Sequence, residues 1–106
     1  MNLEQIIKEI GLTVLNKYID AVITTGYTSD LLSDVIANAK AGSIWITLQT
    51  HKNIIAVAVM KQLPAIIITS GRKPEQEVID AANEEGIVLL TTNLNNFECS
   101  GRLYKV

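Results

Sequence analysis

The sequence lacks most of the residues that stabilise small proteins through covalent bonds or metals. Its 106 residues include one cysteine and one histidine. A single cysteine excludes an internal disulfide and any zinc site that needs several cysteines. A chain of this length buries roughly two thirds of the surface that it exposes when unfolded, so a hydrophobic core can hold the fold without such supports.

Charged residues are also scarce. Nine Lys and Arg stand against eleven Asp and Glu, which gives a net charge of −2 and a charged fraction of 19%. Because there is no basic excess to neutralise phosphates, the composition argues against a general partner of nucleic acid polymers. A hydrophobic fraction of 48% with so little charge likewise excludes a disordered chain.

Long apolar runs are absent. The longest ones, such as Ile54–Met60, are far shorter than the ~20 residues of a membrane span. The N-terminal residues Met1–Glu4 contain no basic segment followed by an apolar one, so the pattern does not favour secretion. We therefore predict a protein that has no membrane partner and that resides in the cytoplasm.

Apolar residues, including fifteen isoleucines, form segments that alternate between helical and strand patterns. The predicted strands are Thr13–Asn16, Ile19–Thr24, Ser43–Thr47, Ala65–Thr69 and Ile87–Leu90. Helices are predicted for Asn2–Ile10, for a segment that begins near Thr28 or Ser29 and ends before Gly42, for Lys52–Gln62, for Pro74–Glu85, and for a closing segment whose apolar face is Leu94, Phe97, Gly101 and Tyr104. In the second helix, Leu31, Leu32, Val35, Ile36 and Ala39 are predicted to be buried.

This alternation is typical of right-handed βαβ units. The three consecutive isoleucines of Ala65–Thr69 favour a central strand that is covered on both faces. We predict a single α/β domain over residues 1–106, with a mainly parallel sheet of four to five strands flanked by helices.

Hydroxyl, glycine and basic residues follow the predicted strands. In a parallel sheet these strand ends share one edge, where ligands of open α/β folds bind and where helix N-termini offer free N–H groups to anions. The alternative is that these residues only cap the helices that follow them. The candidate ligand-binding residues are Thr25, Gly26, Tyr27, Thr50, His51, Ser70, Gly71, Arg72, Lys73, Thr92 and Asn93.

Four other side chains could carry chemistry, but each has a structural explanation. Asp30 and Asp34 are one helical turn apart and could bind a cation or act as acid and base; alternatively, Asp30 interacts with the helix dipole and Asp34 is solvated. Cys99 is predicted to fill core space. Trp45 points to the face opposite Ile44 and Ile46, where it marks a subunit contact or packs under a helix. We predict no metal and no cofactor.

Histidine and the nucleotide motifs give no positive indication of catalysis. His51 is predicted to lean toward the apolar side of its helix, and no nucleophile or orienting partner can be identified for it. Neither a Gly-x-x-x-x-Gly-Lys-Ser/Thr motif nor a Gly-x-Gly-x-x-Gly motif is present. These patterns predict a protein that is not an enzyme.

Several segments, in the same order and over nearly the whole chain, resemble the DRTGG domain, a relative of the N-terminal domain of HPr kinase/phosphorylase. These segments are Thr25–Val35, Trp45–Thr47, His51–Ile54, Gly71–Pro74 and Gly101–Tyr104. Within the motif that names the family, Asp20 stands at the Asp, Ala21 at the Arg, Thr25 at the first Gly and Gly26 at the second.

The resemblance implies the fold of the HPr kinase N-terminal domain and a regulatory or assembly role with self-association. It implies no catalytic residues. We therefore predict a non-catalytic regulatory module that forms a homodimer. The alternative is a sensor of a phosphorylated metabolite or nucleotide, bound at the carboxyl edge of the sheet by Arg72, Lys73 and His51. An enzyme that uses Asp30 and Asp34, or His51, ranks last.

Overall fold

Five strands and five helices follow one another in the computed structural model, which describes all of residues 1–106. The strands are β1 (Thr13–Val14), β2 (Thr25–Thr28), β3 (Ser43–Thr47), β4 (Ala65–Ile68) and β5 (Val88–Thr91). The helices are α1 (Leu3–Ile10), α2 (Leu32–Asn38), α3 (Asn53–Lys61), α4 (Gln76–Glu85) and α5 (Asn96–Tyr104). None of the helices is long and apolar enough to cross a membrane.

The strands form one sheet in the order β1-β5-β4-β3-β2. Strands β2 to β5 are parallel to their neighbours, and β1 adds to β5 in the antiparallel sense. The predicted α/β fold with a mainly parallel sheet is therefore confirmed. The strands in the middle of the sheet are buried along their whole length, as the isoleucine run in β4 indicated.

Helices cover both faces of the sheet, and alternate residues of β3 serve the two cores. Trp45 packs with residues of α2, α3 and α4 on one face. Ile44 and Ile46 pack with residues of α1 and α5 on the other face. Trp45 is fully buried and donates its indole N–H to the carbonyl oxygen of Ser29 at 2.8 Å. Its burial supports helix packing and leaves no free side chain for a subunit contact.

The predicted strand Ile19–Thr24 is wrong, since β2 begins only at Thr25. The backbone of this segment pairs with the N-terminus of the chain. Leu3 donates its N–H to the carbonyl of Ala21 at 2.9 Å, and Ile23 donates to the carbonyl of Met1 at 2.7 Å. The β-branched residues therefore hold the N-terminus against the sheet and do not form a strand of it.

The predicted inner face of α5 is also wrong. The buried residues of this helix are Cys99 and Leu103, whereas Phe97 and Tyr104 are 87% and 93% exposed. Leu103 rests on Gly26 of β2, and this contact fixes the rotation of the helix. Phe97 and Tyr104 thus point to solvent, whereas Leu94, which precedes the helix, packs against the core.

Smaller differences concern single residues of the other helices. Leu31, which precedes α2, and Ile36 within it are exposed, although they were predicted to be buried. Pro74 lies two residues before α4 and is not its first residue. In α2 the buried face is therefore narrower than the number of apolar residues in the helix suggests.

Candidate functional site

Three threonines meet at the carboxyl edge of the sheet. Thr47 ends β3 and lies beside Ile68, which in turn lies beside Thr91 at the end of β5. Thr69 follows β4 directly and donates its N–H to the carbonyl of Thr47 at 2.9 Å. Thr24, which ends the predicted strand Ile19–Thr24, donates its N–H to the carbonyl of Gly42 before β3 and so lies at the opposite edge.

Thr25, Gly26 and Tyr27 do not follow a strand, because they form β2 itself. Thr25 pairs with Ser43 at the start of β3, and this register places it at the amino edge. A Cβ atom added to Gly26 would lie 2.6 Å from Cδ2 of Leu103. The placement predicted for these three residues at the carboxyl edge is therefore wrong.

Asp30 holds the carboxyl ends of β2 and β3 together. Its Oδ1 accepts hydrogen bonds from Oγ1 of Thr47 at 2.9 Å and from the N–H of Leu48 at 2.8 Å. Nδ2 of Asn96 donates to both carboxylate oxygens, at 3.3 and 3.1 Å. Oγ1 of Thr69 donates to Oδ1 of Asn96. This polar cluster connects the first turn of α5 to three strand ends.

Asn96 was not among the residues predicted from the sequence. The one signal for it was the Asn95-Asn96 pair before an apolar helix, of which Asn95 is the cap and accepts a hydrogen bond from the N–H of Glu98 at 2.9 Å. Sequence patterns carry no information on a partner 66 residues away, such as Asp30. The cluster therefore had to be found in the structure.

Asp34 belongs to a separate arrangement, so the predicted carboxylate pair is not formed. Asp30 precedes α2, while Asp34 lies inside it and accepts from the phenol of Tyr27 at 2.9 Å and from Nδ2 of Asn38 at 2.8 Å. Hydrogen bonds from Ser29, Asn38 and Tyr27 lower the pKa of the Asp34 carboxyl. No group of three or more His, Cys, Asp or Glu residues is arranged to hold a metal ion.

The β4–α4 loop and the β5–α5 loop are hydrogen-bonded to each other. Ser70 and Gly71 adopt positive φ angles of 62° and 69°. Their N–H groups donate to the carbonyls of Leu94 and Thr92 at 2.8 and 2.9 Å. A Cβ atom on Gly71 would lie 2.9 Å from Oδ1 of Asn93. The two N–H groups that could have faced an anion are therefore already used within the protein.

Beside these loops lies a polar pocket of about 270 Å³, which we call the Lys73 pocket. Its lining residues are Gly11, Thr13, Leu15, Gly71, Lys73, Thr91, Thr92 and Asn93. Leu15 is the one apolar member. The only salt bridge of the structure joins Lys8 to Glu4, so the ammonium group of Lys73 has no carboxylate partner. Four of the predicted binding residues thus share one cavity with the start of β1.

The other predicted residues lie apart from the Lys73 pocket. Ser70 and Arg72 are exposed on the same loop. Thr50 and His51 belong to the β3–α3 corner, where Nδ1 of the exposed His51 accepts from the N–H of Asn53 at 3.0 Å. The expectation that this ring leans on the apolar side of α3 is wrong, because it caps the start of the helix.

Cys99 carries the one thiol group of the chain. It is fully buried with residues of α1 and the sheet, as the sequence predicted. Burial raises the pKa of its thiol from 9.0 to about 11, against a smaller opposing effect of Arg102. At neutral pH the thiolate that nucleophilic chemistry requires is therefore scarce.

Comparison with known proteins adds to this description. No protein of curated function matches the chain. A matching solved structure is described as the CBS and DRTGG domains of the regulatory region of Clostridium perfringens pyrophosphatase, complexed with the activator diadenosine tetraphosphate. It superposes with a TM-score of 0.75 at 19% identity, over 95% of this chain and 45% of that one. The likeness shows a shared fold, and this chain spans less than half the length of that one.

The match to a family model extends over the whole chain and does not depend on a single motif. The family model described as the DRTGG domain matches residues 1–106. That range includes the edge strand β2, the Asp30 cluster and the loops around the Lys73 pocket. The chain therefore belongs to the DRTGG domain family.

Proposed function

We propose that this protein is a non-catalytic regulatory module of the cytoplasm that assembles as a homodimer. The regulatory role is supported by family membership and by the pyrophosphatase structure, in which a DRTGG domain forms part of a regulatory region. The observation that carries self-association is the exposure of Phe97 and Tyr104 on α5. Aromatic side chains are enriched at the centres of protein interfaces, where they contribute most of the binding energy.

The arrangement of the polar residues supports a role without catalysis. Asp30 accepts hydrogen bonds from neighbouring structural groups, and Nδ1 of His51 caps a helix. The thiol of Cys99 is buried, and burial raises its pKa. An active site requires a base within reach of a nucleophile or a substrate, and these side chains are committed to other contacts.

Light scattering behind a size-exclusion column, run from low to high micromolar concentration, tests self-association. A homodimer gives a mass near twice 11.6 kDa, and the dimer fraction grows with concentration. A mass of 11.6 kDa at every concentration would contradict the proposal.

A second candidate function is the sensing of a phosphorylated metabolite or a nucleotide in the Lys73 pocket. Its support is the unpaired ammonium group of Lys73 beside the hydroxyl groups of Thr13 and Thr92. Ammonium and hydroxyl donors match the oxygens of a phosphate group. Diadenosine tetraphosphate, the activator in the pyrophosphatase structure, belongs to this chemical class.

Thermal unfolding in the presence of ATP, diadenosine tetraphosphate, acetyl phosphate or coenzyme A tests the second candidate. A ligand at a hundredfold excess over its Kd stabilises the folded state by about 2.7 kcal/mol and raises Tm. Lys73→Ala should remove that rise. Lys17→Ala changes a residue near the amino edge of the sheet, away from the Lys73 pocket, and should keep the rise in Tm. An unchanged Tm with all four compounds at millimolar concentration would contradict ligand sensing.

A further inference from the structure

Strand β2 leaves one edge of the sheet open. It is the last strand in the sheet order, and none of its backbone groups forms a hydrogen bond outside its pairing with β3. Natural proteins block such edges with charged residues, prolines, bulges or covering segments. The sequence Thr25-Gly26-Tyr27-Thr28 has no charge and no proline, whereas β1 at the other edge is two residues long.

Helix α5 runs beside this open edge. Oγ of Ser100 lies 2.7 Å from Oγ1 of Thr28, and Tyr104 lines the same cavity as Gly26. Because Tyr104 follows Phe97 by seven residues, both lie on the same side of the helix, the side toward β2. Gly101 lies between them, and a Cβ atom added there would meet nothing within 4 Å. Because glycine has no side chain, the helix surface has a depression between the two aromatic residues. The open strand and the exposed aromatic residues thus form one surface, the β2–α5 edge.

We propose that a second copy of this chain occupies the β2–α5 edge, with the two β2 strands paired in the antiparallel sense. This inference rests on the proposed self-association and names its surface. An antiparallel pair of identical strands is related by a two-fold axis, so the same surface serves both copies. The strand edge supplies free N–H and C=O groups, and a strand is the partner that satisfies them.

The same two-fold axis brings the two α5 helices together. An axis perpendicular to the sheet keeps both helices on one face, side by side and antiparallel. Phe97 of one copy then faces Tyr104 of the other, with the two Gly101 residues near the axis. The side chains of this surface, in β2 and on the Phe97–Tyr104 side of α5, carry no charge, so two copies meet without repulsion between like charges. Because Phe97 and Tyr104 lie near opposite ends of one side of α5, an antiparallel second copy places an aromatic residue opposite each of them, and this self-complementarity favours a second copy over an unrelated strand.

The experiment compares two matched variants on exposed apolar residues. Phe97→Asp introduces a charge on the β2–α5 edge. Met60→Asp introduces the same charge on α3, on the other face of the sheet, where Met60 is 62% exposed. We expect Phe97→Asp to raise the dimer dissociation constant by roughly tenfold or more and Met60→Asp to leave it unchanged. Circular dichroism verifies that both variants are folded.

Hydrogen exchange of the β2 amides tests the strand pairing itself. In the wild type we expect the outward amides of Thr25–Thr28 to exchange more slowly at high than at low concentration, and in Phe97→Asp to exchange rapidly at both. A dimer that Phe97→Asp does not weaken, or whose β2 amides exchange at a concentration-independent rate, overturns the β2–α5 edge as the interface and leaves self-association standing. A wild type that is monomeric throughout overturns the proposed function as well.

Discussion

At Gly26 the absence of a side chain allows α5 to lie close to β2. A Cβ atom would come within 2.6 Å of Cδ2 of Leu103, a distance that real Cβ contacts do not show. Leu103 belongs to the core shared with α1, so a shift of its side chain disturbs that packing. The glycine of the family motif therefore has a packing role in this chain, whatever else it does.

We expect Gly26→Ala to destabilise the protein by about 1–3 kcal/mol, because overpacking forces the helix or the leucine out of position. Unfolding in urea, followed through the fluorescence of Trp45, measures the change. Gly101→Ala is the matched control, since its Cβ has open space in a helix, and it should be neutral or slightly stabilising. Measuring both at low protein concentration keeps self-association out of the comparison. Equal free energies of unfolding for the wild type and Gly26→Ala would show that α5 accommodates the added methyl group without a loss of stability.

At the scale of the elements, the hydrogen bonds of Asn96 join the first turn of α5 to the strand ends. The amide group donates to Asp30 and accepts from Thr69, so both of its ends are used. Thr69 is fully buried, and its hydroxyl would lose its partner if the amide were removed. The position of α5, and with it the β2–α5 edge, depends on these bonds.

We expect Asn96→Ala to lower the free energy of unfolding by about 1–3 kcal/mol, the range for leaving buried polar groups unpaired. Asn38→Ala serves as the control, because Asn38 is exposed and donates one hydrogen bond, to Asp34. Its effect should stay below about 1 kcal/mol. Chemical denaturation of both variants provides the comparison, and equal losses would show that the Asp30 cluster contributes no more than a surface contact.

The elements also show which features could be predicted from the sequence. β3 and β4 were placed almost to the residue, because central strands of a parallel sheet are apolar throughout and stand out from their surroundings. The ends of α1 and α4 were marked by Gly11 and Gly86, which adopt the left-handed conformation that favours glycine.

The parts that could not be predicted depend on contacts between distant residues. β2 is an exposed edge strand that contains glycine, so it lacks the β-branched signal that the preceding Ile23-Thr24 segment carries. The stripe with Phe97 and Tyr104 has helical spacing, and spacing alone does not distinguish a core face from an interface face. The hydrogen bonds of the Ser70 loop could not be predicted either, because the N–H groups of Ser70 and Gly71 donate to Leu94 and Thr92, 24 and 21 residues later in the chain, and no local pattern reveals such contacts.

At the scale of the whole molecule, three groups with a raised pKa make the stability fall at alkaline pH, and the shifts are largest for Cys99 and Tyr18. Burial raises the pKa of the Cys99 thiol from 9.0 to about 11. Burial and the hydrogen bond to Asp20 raise the pKa of the Tyr18 phenol from 10.0 to about 12. Because both groups lose protons more readily in the unfolded chain, the folded state binds more protons above pH 9, and stability must fall as the pH rises.

We therefore expect the free energy of unfolding to be steady near neutral pH and to decrease from about pH 9 upward, through the folded-state pKa of Cys99. Urea unfolding at a series of pH values measures the slope. In Cys99→Ala the slope between pH 9 and 11 should be shallower, although the variant is less stable at every pH because of the cavity. An identical slope in both proteins would exclude Cys99 as its source.

The antiparallel pairing of β1 with β5 has a consequence for how the molecule forms during translation. Thr13 lies beside Thr91, so this contact joins residues near the two ends of the chain. Strands β2 to β5 are neighbours in the order in which the ribosome delivers them, and each can dock on its predecessor as it emerges. The N-terminal segment is synthesised before the other strands, yet β1 cannot pair with the sheet until β5 has left the ribosomal exit tunnel.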